Sequence, residues 1–281
     1  KIYIGSESIL PYKTHYERFP FDKEAEKLNL IYKNISSFGI GHNCAVIWEG
    51  NIPTKIETSF LPHEDIKDVK NDFDDKNDSK LNDALNIKSL SEFGLPKQKV
   101  IENLKYFISL YETWIENQKE QTQNLNLADT EISNDIISKQ TENLNRLKEG
   151  IDLLEDEKIF AAFQMANTAM YIQLITSNDK DFGKDEKEIS EISNKVDYNS
   201  LDFFRKYNAE QRLAEDKITF IPKYRPFQLA FILLNIDGVV NNQSQSRKEI
   251  VDLIWFPTGG GKTEAYIAVT ALTIIWRRLN N

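Results

Sequence analysis

The stretch W-F-P-T-G-G-G-K-T-E, residues Trp255 to Glu264, decides how the last part of this chain is interpreted. It follows an apolar run, Ile250 to Ile254, and precedes a helical pattern that begins at Ala265. A strand, a glycine loop and a helix in this order form the context in which backbone N–H groups cradle phosphate. The first turn of the helix adds partial positive charge. The sequence therefore predicts a phosphate-binding loop.

The polar residues of this loop have predicted roles in holding a nucleoside triphosphate. The Lys262 ammonium is expected to reach the terminal phosphates, and the Thr263 hydroxyl is expected to bind Mg²⁺. We predict these two residues to be catalytic, Thr263 to be the metal ligand, and ATP and Mg²⁺ to be the cofactors. The predicted ATP-binding residues are Arg225, Gln228, Thr258, Gly259, Gly260, Gly261, Lys262, Thr263 and Glu264.

A second motif, Y-R-P-F-Q at residues 224–228, lies upstream of the loop. The Gln228 amide both donates and accepts hydrogen bonds, which suits the edge of adenine and favours ATP over GTP. The Arg225 guanidinium is able to stack on the base. An alternative stays open for Arg225, because Pro226 suits the first position of a helix and Arg225 is then a surface residue beside its start.

The general P-loop pattern has glycine six positions before the lysine, where this chain has Phe256. The stretch from Pro257 to Thr263 instead resembles motif I of superfamily 2 helicases and translocases. Y-R-P-F-Q resembles the adenine-recognising segment of the same enzymes. These two likenesses narrow the predicted nucleotide site to that superfamily.

Longer strings narrow the resemblance further. R-P-F-Q-L-A-F-I-L-L-N, then D-L-I-W-F-P-T-G-G-G-K-T-E-A-Y, then the pair Arg277 and Arg278, resemble the helicase of DISARM phage-defence systems, the DrmA family. Two N-terminal stretches agree with it, Ile40–Trp48 and Ala161–Asn167. The likeness is therefore spread along the chain.

The resemblance implies an ATP-dependent DNA helicase or translocase that acts in phage defence together with a protein partner subunit. ATP would bind between two RecA-like lobes, and its hydrolysis would open and close their cleft to drive movement along DNA. The chain ends at Asn281, 19 residues after Lys262, and no acidic box follows the loop. We therefore expect an N-terminal fragment of a longer protein that does not turn over ATP by itself.

Three other interpretations stay open from the residues. Another superfamily 2 motor, such as a restriction-type translocase subunit, would carry the same motifs. A P-loop kinase acting on a small molecule would share the glycine loop but would leave Gln228 unexplained. A scaffold that binds nucleotide without turnover would fit the fragment taken alone.

Composition limits the partners and the compartment. The net charge of −9 disfavours a general nucleic-acid surface, because phosphate contacts come from Lys and Arg, so DNA is expected only through the complete motor. The single cysteine, Cys44, excludes an internal disulfide and favours the cytoplasm. No run of 18 apolar residues occurs, so no membrane span is expected.

The chain as a whole predicts a mixed α/β fold, in which a β-rich N-terminal region and a helical accessory domain precede the start of an incomplete RecA-like P-loop lobe. The predicted segments are a β-rich region at 1–62, an acidic connection at 63–95, long amphipathic helices at 96–178, a charged connection at 179–218 and a truncated ATP-binding lobe at 219–281.

Local patterns support this division. Short runs of β-branched and aromatic residues predict strands at Lys1–Ile4, Asn29–Tyr32, Cys44–Glu49 and Lys55–Leu61. Apolar residues spaced by three and four predict one helix from about Pro96 to Gln123 and a second helical pattern from Leu144 to Met170. We expect these two helices to pair and their aromatic residues to be core.

Overall fold

The computed structural model describes residues 2–3, 9–11, 23–33, 36–50, 52–59, 78–122, 127–178, 221–255 and 259–280. The chain divides into two compact units. The first comprises Lys1–Val69 and Glu116–Gln140, and the second comprises Lys70–Ile115 and Thr141–Asn281. Described residues are mostly helical, with one small sheet. The structure is therefore mixed α/β with helix predominating.

A small antiparallel sheet belongs to the first unit. Its strands are β1 (Ile2–Tyr3), β2 (Ala45–Trp48) and β3 (Lys55–Ser59), in the order β1–β3–β2. Between β2 and β3, Gly50 has a φ of 74°, which glycine adopts without steric cost. Three of the four predicted strands are confirmed.

The fourth predicted strand, Asn29–Tyr32, is wrong. It falls at the end of helix α1 (Lys23–Ile31). A four-residue apolar run does not by itself distinguish a strand from a helix. The residues before it, K-E-A-E-K, are strong helix formers, so the helix begins upstream and extends through the run.

The acidic connection assigned to residues 63–95 contains two short helices in its second half, which the sequence analysis missed. They are α2 (Ser79–Leu85) and α3 (Ile87–Leu90). The Asp78 carboxylate caps α2 by accepting a hydrogen bond from the N–H of Leu81 at 3.0 Å. Five apolar side chains of these helices are buried: Leu81, Ala84, Leu85, Ile87 and Leu90. The sequence analysis assigned this short apolar pattern to the acidic stretch that precedes Asp78. The acidic residues of that stretch lie outside the described residues.

Helix α4 (Lys97–Thr122) confirms the helix predicted from Pro96 to Gln123. It buries most of the predicted face, including Leu104 and Ile108, whereas the indole of Trp114 is exposed and stacks on Tyr111. Its aromatic stripe is therefore core only in part, because the face turns towards solvent near its end.

The second predicted helical pattern, Leu144–Met170, is divided between α5 (Leu127–Leu153) and α6 (Glu157–Asn178). The break occurs because the Asp156 carboxylate accepts hydrogen bonds from the N–H groups of Lys158 and Ile159, at 2.8 and 3.0 Å, and so starts a new helix. These bonds, that of Ile159 first, lower the pKa of Asp156. The predicted pairing is confirmed by the 2.6 Å contact of Lys148 Nζ on α5 with Glu112 Oε1 on α4.

Three helices follow in the last part of the second unit. They are α7 (Pro226–Val240), α8 (Gln245–Glu249) and α9 (Lys262–Leu279). Helix α9 packs on α6 and α7 and buries Ala265, Ala268 and Leu272. The first turn of α9 is thereby held against a rigid helical core. None of the helices in the described ranges is both long and apolar enough to cross a lipid bilayer.

The strand predicted at Ile250–Ile254 is wrong. These residues have no regular secondary structure, and the side chains of Val251 and Leu253 are exposed. A strand requires a neighbouring strand to pair its N–H and C=O groups, and the strands that the structure describes all belong to the first unit. The RecA-like lobe expected for residues 219–281 is represented by helices in the described part, so it stays a prediction.

Candidate functional site

The glycine loop leads directly into α9. Gly259 and Gly261 have φ values of 81° and 83°, a left-handed conformation that strains residues with a Cβ. Gly261 is the N-cap of α9 and supplies no side-chain hydrogen bond to the first turn. The N–H groups of a first helical turn lack partners within the helix, and they carry its partial positive charge. This end of α9 is therefore suited to an anion.

Two side chains of the Y-R-P-F-Q motif hold the loop by its carbonyl groups. The Arg225 guanidinium donates from Nη1 to the carbonyl oxygen of Gly260 at 2.8 Å. The Gln228 amide donates from Nε2 to the carbonyl oxygen of Gly261 at 2.6 Å and accepts the N–H of Arg225 at 2.7 Å. We call Arg225 and Gln228 the loop brace.

The loop brace sets the direction of the loop amides. In a trans peptide the C=O of one residue and the N–H of the next point in opposite directions, and the described chain has no cis bond. Because Arg225 and Gln228 hold the carbonyls of Gly260 and Gly261, the N–H groups of Gly261 and Lys262 point away from the brace. Two adjacent N–H groups with fixed orientation are the kind of donor set that binds phosphate oxygens.

The brace is itself anchored by the helices that the sequence analysis missed. The Tyr224 N–H donates to the carbonyl of Leu85 at 2.8 Å, and the Ile87 N–H donates to the carbonyl of Pro222 at 3.1 Å. Between them, Asn86 and Lys223 form an isolated antiparallel bridge. Pro226 then begins α7 at the first helical position, where an N–H would have no acceptor within the helix and proline costs no hydrogen bond. Arg225 and Gln228 are thus placed by backbone pairing at one end and by a helix at the other.

A pocket of about 590 Å³ lies between the loop, the brace and two helices. It is lined by Ile87, Leu174, Ile221, Lys223, Tyr224, Arg225, Gln228, Gly259, Gly261, Lys262, Thr263 and Glu264. Glycines and polar residues form one side of the pocket. Ile87 of α3 and Leu174 of α6 contribute apolar surface to it. This size falls within the range of small-molecule sites in proteins.

Two buried polar atoms at the pocket have no hydrogen-bond partner. They are the hydroxyl of Tyr224 and Oε2 of Glu264. Burial of the Tyr224 ring raises the pKa of its hydroxyl well above the ordinary value, so this group is a neutral donor in the physiological range. Buried polar groups usually have partners. These two atoms are therefore exceptions among the buried polar groups of this region.

Most of the predicted site residues come together around this pocket. Gly259, Gly261, Lys262, Thr263, Glu264, Arg225 and Gln228 all line it, whereas Gly260 is buried and joins the site through its carbonyl. Thr258 lies outside the described residues. Tyr224, Ile87 and Leu174 were missed by sequence reasoning; the position of Tyr224 next to Arg225 was a usable signal, whereas nothing local indicates Ile87 or Leu174.

The roles predicted for Gln228 and Arg225 towards adenine stay predictions. In the structure both side chains bond the protein, and the Gln228 side chain is almost fully buried. A glutamine amide has two N–H donors and two acceptor lone pairs, so one of each remains after these contacts. The pair Arg277 and Arg278, quoted for the resemblance, lies in the last turn of α9, where the helix dipole favours cations.

The fold and site together define a mostly helical protein that presents a braced glycine loop at a helix N-terminus. No protein-family model matches the chain. The chain is 33% identical over 257 residues to the DISARM protein DrmA of Bacillus paralicheniformis, a match that covers 89% of this chain and 20% of that protein. The chain therefore belongs to the DrmA family. It spans about a fifth of the length of the curated relative that it matches.

Proposed function

We propose that this chain binds ATP with Mg²⁺ in the pocket beside the glycine loop. The observation that carries the proposal is that Lys262 and Thr263 begin a helix directly after Gly259–Gly261 and line the same pocket as Gln228. A lysine and a hydroxyl following a glycine loop are the residue types that hold triphosphate and magnesium. The geometry supports this role because the first turn of α9 has no side-chain cap competing for its N–H groups.

Each residue has a separate task in this proposal. The N–H groups of Gly261 and Lys262, oriented by the loop brace, hold phosphate oxygens. The Lys262 ammonium neutralises phosphate charge, and the Thr263 hydroxyl contributes a ligand to Mg²⁺. When bound, Mg²⁺ would supply further positive charge to neutralise the phosphates.

The base would lie towards the brace and the apolar surface. Gln228 keeps one N–H and one lone pair, a combination that adenine satisfies at its amino group and adjacent ring nitrogen. Ile87 and Leu174 offer surface for a planar base. This arrangement favours adenine over guanine, whose edge has the opposite donor and acceptor order.

The longer DrmA protein is proposed to use this site in an ATP-dependent superfamily 2 DNA helicase or translocase of DISARM phage defence. The support is family membership, together with the resemblance of residues 257–263 to motif I and of residues 224–228 to an adenine-recognising segment. DNA and a protein subunit of the defence complex are the proposed partners, and the cytoplasm is the proposed location.

The chain by itself is proposed to bind nucleotide without turning it over. Among the described residues that line the pocket, the carboxylate is that of Glu264, which lies in the first turn of α9 beside the proposed phosphate site. A second carboxylate to orient water and an arginine from another lobe are the parts that hydrolysis uses. The isolated chain is then a nucleotide-binding scaffold, and the longer DrmA protein is the motor.

The test is Lys262→Ala, with Mg·ATP binding measured by isothermal titration calorimetry on this chain. Loss of a charge-assisted contact of about 1.5–3 kcal/mol corresponds to roughly 10- to 150-fold weaker binding. Lys99→Ala is the matched control, because Lys99 is an exposed lysine on α4 whose contact is with Glu102. In the full-length protein, DNA-stimulated ATPase should collapse with Lys262→Ala and persist with the control. Equal ATP affinity in the wild type and Lys262→Ala would refute the site.

A further inference from the structure

The segment Ile250–Trp255, which joins α8 to the loop region, has two partly buried residues, Asp252 and Ile254. We call Ile250–Trp255 the approach segment. The residues Val251, Leu253 and Trp255 are 94%, 79% and 87% exposed, so they contribute little packing. Asp252 between them is turned inward, with a side chain 21% exposed. The ion pair of the Asp252 carboxylate therefore contributes to the position of this segment.

Arg146 of α5 binds Asp252 with both ends of its guanidinium. Nη1 donates to Oδ1 at 2.8 Å and Nη2 donates to Oδ2 at 2.7 Å, while Nη2 also lies 3.4 Å from the carbonyl oxygen of Leu234 on α7. The hydrogen bonds that Arg146 donates to Asp252 raise the pKa of Arg146, against the opposing effect of burial. A bidentate pair fixes orientation as well as distance, so the approach segment is tied in one geometry to α5 and α7.

The position of Arg146 is fixed by close packing of α5 on α7. Gly150, four residues further along α5, lies on the same face of the helix. A Cβ at Gly150 would lie 2.2 Å from the carbonyl oxygen of Leu233, so the two backbones meet where only glycine fits. Arg146 therefore reaches Leu234 and Asp252 from a rigid base and does not depend on a flexible loop.

Helix α7 is common to both contacts that hold the nucleotide loop. Its first turn carries Gln228, which with Arg225 holds Gly260 and Gly261, and its middle carries Leu234, to which Arg146 ties the approach segment. The glycine loop and the approach segment that precedes it are thus both tied to α7. Loosening either contact would let the loop amides leave the orientation that binds phosphate.

We propose that Arg146 is a positioning residue for the nucleotide loop, acting through Asp252 to hold the approach segment against α7. The inference rests on the proposed nucleotide function. It assigns a residue of the helical region, 116 positions before Lys262, a share in nucleotide affinity without any contact with nucleotide.

The first test compares Mg·ATP affinity by calorimetry in the wild type, Arg146→Met, Asp252→Asn and the double variant. If the loop is competent in about a tenth of molecules once the pair is broken, apparent affinity falls about tenfold. The double variant should fall no further than the singles, because both remove one interaction. Arg146→Lys should recover part of the affinity, since an ammonium keeps the charge but not the two parallel bonds.

A matched ion pair separates this role from general stability. Lys148 and Glu112 also join α5 to another helix, at 2.6 Å, but their side chains are 45% and 41% exposed, and their ion pair does not involve the approach segment. Lys148→Met with Glu112→Gln should leave ATP affinity unchanged. Thermal unfolding of every variant identifies any loss that comes from unfolding alone. Unchanged affinity in folded Arg146→Met, or an equal loss in the control pair, would overturn the proposal.

Hydrogen exchange without nucleotide distinguishes this proposal from the proposed function. Arg146→Met should exchange faster than wild type at the amides of residues 251–253 and 259–262, with α4 unchanged as an internal reference. If the wild type binds no ATP but this difference appears, the ATP function fails and the link from Arg146 to the loop stands. If the exchange does not change, the link itself is refuted.

Discussion

The clearest quantitative prediction concerns two glycines of the loop that share a backbone conformation but differ in surroundings. Gly259 and Gly261 have φ values of 81° and 83°. A Cβ at Gly259 would meet nothing within 4 Å, whereas a Cβ at Gly261 would lie 2.6 Å from Nε2 of Gln228 and 3.3 Å from Oε2 of Glu264. Gly259→Ala and Gly261→Ala therefore separate backbone strain from steric conflict.

The magnitudes follow from these contacts. Either alanine should destabilise the observed loop conformation by about 1–2 kcal/mol, because left-handed backbone is unfavourable for a residue with a Cβ. Gly261→Ala should also displace Gln228 and break its 2.6 Å bond to the Gly261 carbonyl, which costs about a further 1 kcal/mol. The difference of about 1 kcal/mol corresponds to roughly a fivefold difference in the fraction of molecules with the loop held in place.

Two measurements test this difference. Mg·ATP affinity by calorimetry should fall in both variants, with Gly261→Ala about fivefold weaker than Gly259→Ala. Hydrogen exchange of residues 259–262 without nucleotide should show the same order. Equal effects in the two variants, or a larger effect of Gly259→Ala, would show that Gln228 does not hold the loop. The exchange measurement gives this answer whether or not the chain binds nucleotide.

Two further predictions concern stability. Tyr224→Phe should raise the free energy of unfolding by up to about 1 kcal/mol in urea titrations, because it removes a buried hydroxyl without a partner; a loss of that size would contradict the geometry. The Tyr106 hydroxyl first, then the Leu81 N–H, lower the pKa of Asp78 below its ordinary 3.8, so their stabilisation is present above that pH and is lost as pH falls through the folded pKa. Asp78→Asn should therefore be less stable than wild type at pH 7, with the gap in urea midpoints narrowing as the pH falls below the ordinary pKa of 3.8, and a constant gap would refute the assignment.

Local signals in the sequence predicted much of the element structure. The start of α9 at Lys262 follows from glycines that permit left-handed backbone, and α4 follows from apolar residues spaced by three and four. Failures occurred where local preference was ambiguous or lacked a partner. Asn29–Tyr32 extends a helix that begins upstream, and Ile250–Ile254 has the composition of a strand but no strand beside it in the described residues.

The candidate site divides in the same way. The sequence alone selected the loop glycines, Lys262, Thr263, Gln228 and Arg225, because phosphate chemistry requires those residue types at that spacing. It assigned Gln228 to adenine, whereas the structure shows its amide bonding the loop, a contact that adenine recognition does not predict. Only the tertiary structure brings the Y-R-P-F-Q motif into contact with the glycine loop.

What the sequence by itself determined is the short-range chemistry: a glycine loop, a helix start and membership of a family that its motifs resemble. Only the tertiary structure decided that α3 and α6 supply the apolar side of the pocket, and that Arg146 holds the approach segment from 106 residues away. The physical reason is that backbone conformation and capping depend on neighbours along the chain, whereas a pocket wall or an ion pair depends on which helices pack together. That packing is a property of the whole core, and no local pattern encodes it.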